Sequence, residues 1–274
     1  LNSGQFNHQA ALENFRKRLK DETDETADQA YFADPDYDLP EWVNKDDKSV
    51  PHCRWFLTAP RELLGLPDDD VADDSRRALF LIGQNPSKAR EWAGVETDPT
   101  IDNVRSALGL PAGGRPVHYK DLLSDAGITP SRVTMVNLTP IINPTGKKVK
   151  LEDYADRKSL REDNARLVID LIKATVDASK GERGIDIIPI WGNKGHEYVR
   201  DADESNRGLR PETVHMMELL QQLRGDSALD VRYGGFLTAK KAPGHTAYPH
   251  NTAWKQGEFS WLQYNDATGK FWPL

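Results

Sequence analysis

Cysteine is almost absent: Cys53 is the only one in 274 residues. An intramolecular disulfide and a cysteine-based zinc site are therefore excluded, and a reducing cytoplasm is the expected setting. Long apolar runs are missing too. None approaches the roughly 20 residues that span a bilayer, so no membrane partner is expected. The first twenty residues place Phe6, Leu12, Phe15 and Leu19 among polar neighbours without an apolar h-region, so no secretory leader is expected. Basic excess is also lacking. The formal net charge is -7, which argues against a general nucleic-acid binder.

That negative charge is unevenly spread. Residues 1–50 hold twelve Asp/Glu against six Lys/Arg, so the remainder is close to neutral and leaves room for a local basic groove. Leu12, Phe15 and Leu19 recur with helical spacing, which predicts an amphipathic helix docked on the main body. The acidic stretches Asp21–Asp28 and Asp68–Asp74 read as solvated segments. Residues 1–50 are thus expected to form an acidic, partly helical extension, and residues 51–274 a single α/β domain with an aromatic C-terminal segment.

With 38% hydrophobic and 29% charged residues, what is present suits a globular chain. The regular pattern begins at Ala78–Gly83, a continuous apolar run expected of a strand buried on both faces. Thr100 is placed to cap a helix that Gly109 stops, and a second buried strand reads Val133–Leu138. Ser159 and Glu162 form the pattern of a capping box before a long helix ending at Gly181. A third strand follows at Ile185–Trp191, then a helix from Pro211 to Gly225. The last strand reads Leu229–Thr238, with a bulge or close approach at Gly234 and Gly235. Alternating strands and helices predict a three-layer αβα sandwich around a mainly parallel four-stranded sheet.

Ligands of open parallel sheets bind beyond the carboxyl ends of the strands. The segments following the four strands are Gly83-Gln84-Asn85-Pro86-Ser87, Asn137-Leu138-Thr139-Pro140, Trp191-Gly192-Asn193-Lys194-Gly195, and a stretch holding Lys240, Lys241, Gly244, His245, His250 and Asn251. Amides can match both donors and acceptors of a planar ligand, and glycines admit it closely. Turn chemistry explains the composition of any one such loop. Their convergence predicts a site.

These segments, together with Asp98-Pro99-Thr100, Asp163-Asn164 and Pro249-His250, resemble the bacterial family catalogued as domain of unknown function 1643 over about residues 50–255. That family is similar to the uracil-DNA glycosylase superfamily, to whose first motif Gly83-Gln84-Asn85-Pro86 is similar. Ile190-Trp191-Gly192 resembles a strand-ending motif of the same fold. The resemblance implies hydrolysis of the N-glycosidic bond of a modified, damaged or mismatched base in DNA. It implies Asn85 as the group that holds the attacking water, and His250 as the group that stabilises the departing base. Gly83, Gln84, Pro86, Ser87, Asn137, Trp191, Gly192, Asn193 and His245 would surround the substrate, and Lys88, Lys240 and Lys241 would meet phosphate. A duplex substrate would have to present its base by flipping. No cofactor and no metal is implied.

Two departures bear on these roles. Ser87 stands where the most active uracil branch has an aromatic residue, so the same base selectivity is not implied. The C-terminal motif reads Pro249-His250-Asn251, not His-Pro-Ser, and leaves His245 as a competitor for the same task. Other chemistries have less behind them. Ser87 lacks the G-x-S-x-G elbow of a nucleophile. Asp98 and Asp102 read as acids of a first helical turn. His245 and His250 lack a third metal ligand at suitable spacing. His196 and His215 read as helix-packing residues. The C-terminal Tyr248, Trp254, Phe259, Trp261, Tyr264, Phe271 and Trp272 fit either a base-stacking surface or a closing hairpin packed on the core. Two further functions also stay open. One is a non-catalytic nucleic-acid or nucleotide-binding module, the other an enzyme on free nucleosides or nucleotides.

Overall fold

The computed structural model describes residues 7–21, 26–33, 52–66, 76–86, 89–92, 99–111, 119–142, 156–179, 184–192, 210–226, 229–238, 241–244, 254 and 258–274. The apolar run Ala78–Gly83 forms β3, buried along its whole length. It lies between two parallel neighbours, β4 (Arg132–Asn137) and β5 (Ile185–Pro189), and β5 pairs in parallel with β6 (Val231–Gly235). The predicted parallel α/β centre is present.

The sheet is larger than the four strands expected. It has eight, in the order β1-β2-β4-β3-β5-β6-β7-β8, and is mixed. On one side β2 (Arg54–Pro60), which leads into the short helix α2 (Arg61–Leu64), runs antiparallel to β4 and carries β1 (Ala30–Phe32) at the edge. On the other, β7 (Ser260–Asn265) and β8 (Lys270–Pro273) form an antiparallel hairpin beyond β6. Ordered structure therefore starts well before Ala78. β2 is fully buried although Arg54 opens it and Pro60 closes it, because apolar packing covers both faces of the sheet there, Phe56 on one and Leu57 and Ala59 on the other.

Strand alternation divides the interior into two cores. Phe80 and Ile82 join Val136, Ile185 and Ile187 on one face, beneath α1 (His8–Lys20), α4 (Arg157–Ala178) and α5 (Arg210–Arg224). Leu79 and Leu81 join Val133, Met135, Ile188 and Ile190 on the other, with α3 (Pro99–Ala107) and Leu123. The N-terminal helix docks as predicted: Ala11, Leu12 and Phe15 are buried in the first core. His8 adds a side-chain hydrogen bond of 2.8 Å to Asp170 of α4.

Helix starts differ from expectation by one or two residues. Pro99 opens α3, which places Thr100 inside it. α4 begins at Arg157, and exposed Ser159 lies within its first turn rather than capping it. Arg157 is held by both carboxylate oxygens of buried Glu212 in α5, 2.7 Å each, so a tertiary contact extends the helix beyond the local signal. α4 closes at Ala178, while Gly181 lies outside the described residues. The stops at Gly109 and Gly225 follow α3 and α5 as read. Gly234 meets the predicted close approach: a β-carbon there would stand 2.5 Å from Phe259.

Candidate functional site at the carboxyl rim of the sheet

Chain order reverses around β3. The strand after it, β4, lies on one side and the next, β5, on the other, so the crevice between β3 and β5 is the topological switch point at which open α/β sheets take ligands. The segments beginning at Gly83 and at Trp191 leave the sheet there, with Asn137 one strand away.

Backbone bonds tie the three strand ends together. The amide of Leu138 donates to Gly83 O at 2.9 Å, that of Thr139 to Gln84 O at 3.4 Å, and that of Ile190 to Ile82 O at 2.8 Å. Asn164 of α4 clamps the turn after β4 from behind. Its Nδ2 donates to the carbonyls of Asn137 (2.8 Å) and Leu138 (3.2 Å). These contacts hold the exit directions of the loops firmly, as a preorganised site requires.

The Asn137 side chain is the outstanding group of this rim. It is 1% exposed, yet among the described residues neither Oδ1 nor Nδ2 has a hydrogen-bond partner. Buried amides are nearly always paired, and leaving one unpaired costs about 1–3 kcal/mol per polar group. The amide lies across Gly83, where a β-carbon would meet Oδ1 at 2.5 Å and Met135 Cε at 3.3 Å. Gly83 thus makes room for Asn137. The two belong to the face of the second core, where Met135 lies.

The other expected residues distribute as follows. Gln84 and Pro86 are buried, and Asn85 is half-buried with its Nδ2 donating to Pro86 O at 3.3 Å. Trp191 is fully buried in the first core, its ring 6.0 Å from Phe271, so its side chain goes to the opposite face from Asn137. What it offers the Asn137 side is backbone, including Gly192 at a left-handed φ of 72°. Lys241 turns away after β6, with Nζ 5.5 Å from the centre of the Trp272 ring. Ser87, Lys88, Asn193, Lys240, His245 and His250 lie outside the described residues. Gly244 and Trp254 flank two of these in sequence. Trp254 Nε1 donates to Gly244 O at 3.0 Å, and the indole packs against Phe236 in the second core, on the Asn137 face.

The sequence reading missed Asn164 as a site-supporting residue, although its place one turn after Leu160 on the core stripe of α4 was a usable signal. It also missed the Arg157–Glu212 pair beside Thr139, whose partners are remote in sequence. Among the described residues no group of His, Cys, Asp and Glu is placed to hold a metal, and no helix is long and apolar enough to cross a membrane. The chain matches no family model, no curated protein and no solved structure.

Proposed function

We propose that this protein hydrolyses the N-glycosidic bond of a modified, damaged or mismatched base in DNA, at the carboxyl rim between β3 and β5. The observation that carries the reading is the buried Asn137 amide, both of whose polar atoms lack a partner among the described residues. An amide presents one donor and one acceptor side by side, as a base edge does. A ligand that supplies the matching pair would relieve the cost of leaving Asn137 unpaired.

In the reaction water attacks C1′ of the sugar, the C1′–N bond breaks, and the base leaves with the bonding electrons and then takes up a proton. Asn85, beside Gly83 and Gln84, positions the water. An amide is too weak a base to take its proton early, so electrostatic stabilisation of the oxocarbenium-like sugar and the anionic base must do most of the work. His250 is the group assigned to the departing base. The anchoring of Gly244 and Trp254 on the Asn137 face supports that assignment.

The test is a screen of natural and modified oligonucleotides for abasic sites. Release of one base by the wild-type chain, lost in Asn85→Ala while DNA binding persists, is the expected result. Failure to release any base across the panel removes the proposal. The net charge of -7 favours one other reading, an enzyme on free nucleosides. Affinity for DNA that does not weaken with salt would select it, because phosphate contacts are salt-sensitive.

A further inference from the structure

The C-terminal hairpin divides its aromatic residues between the two faces of the sheet. Leu262 and Tyr264 of β7 and Phe271 of β8 enter the first core. Strand alternation sends Trp261, Gln263, Asn265, Lys270 and Trp272 to the other face. There Gln263, Asn265, Lys270 and Trp272 are exposed. Trp272 is 45% exposed, a large apolar area to leave in water. The hairpin thus closes the core with one face and keeps the other open.

Cations gather around the open aromatic surface. Gln263 pairs with Trp272, and the pairing of Tyr233 with Leu262 sets Arg232 beside Gln263. Arg232, Gln263 and Trp272 therefore form one row across β6, β7 and β8. The Arg232 guanidinium lies 4.0 Å from the centre of the Trp261 ring, and its side chain stays 43% exposed. Asp186 answers its charge through two bonds of 2.9 Å, so what it offers solvent is a flat plane. Lys241 reaches the same strip, with Nζ 5.5 Å from the centre of the Trp272 ring. Its backbone is held in place beside β8. The φ of 60° is left-handed, which non-glycine residues seldom adopt, and its carbonyl accepts from the Phe271 amide at 3.4 Å. Lys241 and Lys270 make no ion pair among the described residues. Neither β7 nor β8 contains an acidic residue. Asp266, in the turn between them, acts on Tyr233 and Tyr264, which belong to the opposite face.

An open indole, a stacked guanidinium plane and two unpaired lysines suit a ligand with flat π surfaces and regular negative charge. We propose that this face of the hairpin binds single-stranded nucleic acid. Bases stack on Trp272 and on the Arg232–Trp261 pair, and phosphates meet Lys241 and Lys270. Gln263, between the two platforms, can bond a base edge. A duplex hides the faces of its bases and would leave the indole unused. An apolar protein partner would have to bury both lysines without counter-charges. Ring contacts from Trp261 through Phe259 and Phe236 to Trp254 place the strip on the same side of the sheet as Asn137.

The experiment titrates the full chain with a twelve-residue oligothymidylate and follows tryptophan fluorescence and the anisotropy of the labelled strand. A dissociation constant on the order of 100 µM or tighter at low salt is expected, with quenching of an exposed indole. An abasic strand of the same length keeps the phosphates and should bind at least about fivefold more weakly, as should oligothymidylate to Trp272→Ala, because stacking is lost in each case. Trp272 is exposed, so Trp272→Ala should keep the wild-type unfolding transition, and Trp272→Phe should restore part of the affinity. Lys241→Gln and Lys270→Gln should each lower the slope of log affinity against log salt by about 0.7. Binding is read without catalysis, so a rim that releases no base leaves this result standing. Equal binding of the abasic strand, indifference to Trp272→Ala, or no binding of oligothymidylate would each overturn the assignment. Self-association that Trp272→Ala abolishes, without binding of the strand, would overturn it by giving the face to a second copy of the chain.

Discussion

The Asn137 amide lies across Gly83 so closely that a β-carbon on the glycine would stand 2.5 Å from its Oδ1. The pair sits in register at the ends of β4 and β3, so each position constrains the other. Gly83 is extended backbone with no positive φ. Close approach, not conformational freedom, is what demands glycine there.

Gly83→Ala should therefore push the Asn137 amide out of place. Overpacking of this kind costs about 1–3 kcal/mol. Chemical denaturation should report a loss in that range with the transition still cooperative, and base release should fall far more than the folded fraction does. Wild-type release by this variant would remove Asn137 from the proposed site.

Asn164→Asp addresses the clamp behind the same turn. The substitution replaces the Nδ2 donor with an oxygen that faces the carbonyls of Asn137 and Leu138. Loss of the bonds and the facing acceptors should cost about 1–3 kcal/mol for each unsatisfied group. Hydrogen exchange should show the Leu138 amide, which donates to Gly83, losing protection before the centre of β4 does.

Glu212→Ala should be among the more damaging single changes. Its carboxylate is buried and pairs with Arg157 through two hydrogen bonds that join α5 to α4. Removing one partner of a buried pair costs about 3–5 kcal/mol, because the other charge stays behind. Glu212→Ala with Arg157→Met should recover part of that loss in urea titrations, whereas two losses that simply add would show that the pair is not coupled.

Alkaline pH should expose the buried tyrosines. Burial raises the Tyr233 phenol above its ordinary value near 10, and raises Tyr119 and Tyr264 in the same direction. Below about pH 10 the phenol is neutral in both folded and unfolded chains and contributes no pH dependence. Above it the unfolded chain ionises while the folded one keeps its proton, so stability falls as pH rises. Tyr233→Phe should reduce that slope by up to about 1.4 kcal/mol per pH unit. An unchanged alkaline slope would show that Tyr233 does not carry it.

The parallel centre was legible because its strands are short apolar runs separated by amphipathic helices, a local pattern that the chain carries whatever surrounds it. Ala78–Gly83, Ile185–Trp191 and the stripe of α4 all follow from it. The flanking strands were not legible in the same way. β2 is interrupted at its ends by Arg54 and Pro60, and β7 alternates Ser260, Trp261, Leu262 and Gln263 in a pattern that suits a surface as well as a strand. Only the neighbours β4 and β6 make strands of them. Along the rim, the residue types after each strand were readable, but not the direction of each side chain.

By itself the sequence determined that buried strands alternating with helices would build a mainly parallel sheet and that amides and glycines would leave the carboxyl ends of its strands, since hydrophobic period and turn chemistry are properties of a few consecutive residues. Tertiary structure alone decided that Asn137 would share a face with Gly83 while Trp191 turned to the opposite core. It also decided that Lys241 would meet an exposed Trp272 while Phe271 beside it entered the core. Those relationships depend on register between strands and on the packing of helices remote in the chain, which no local stretch of residues encodes.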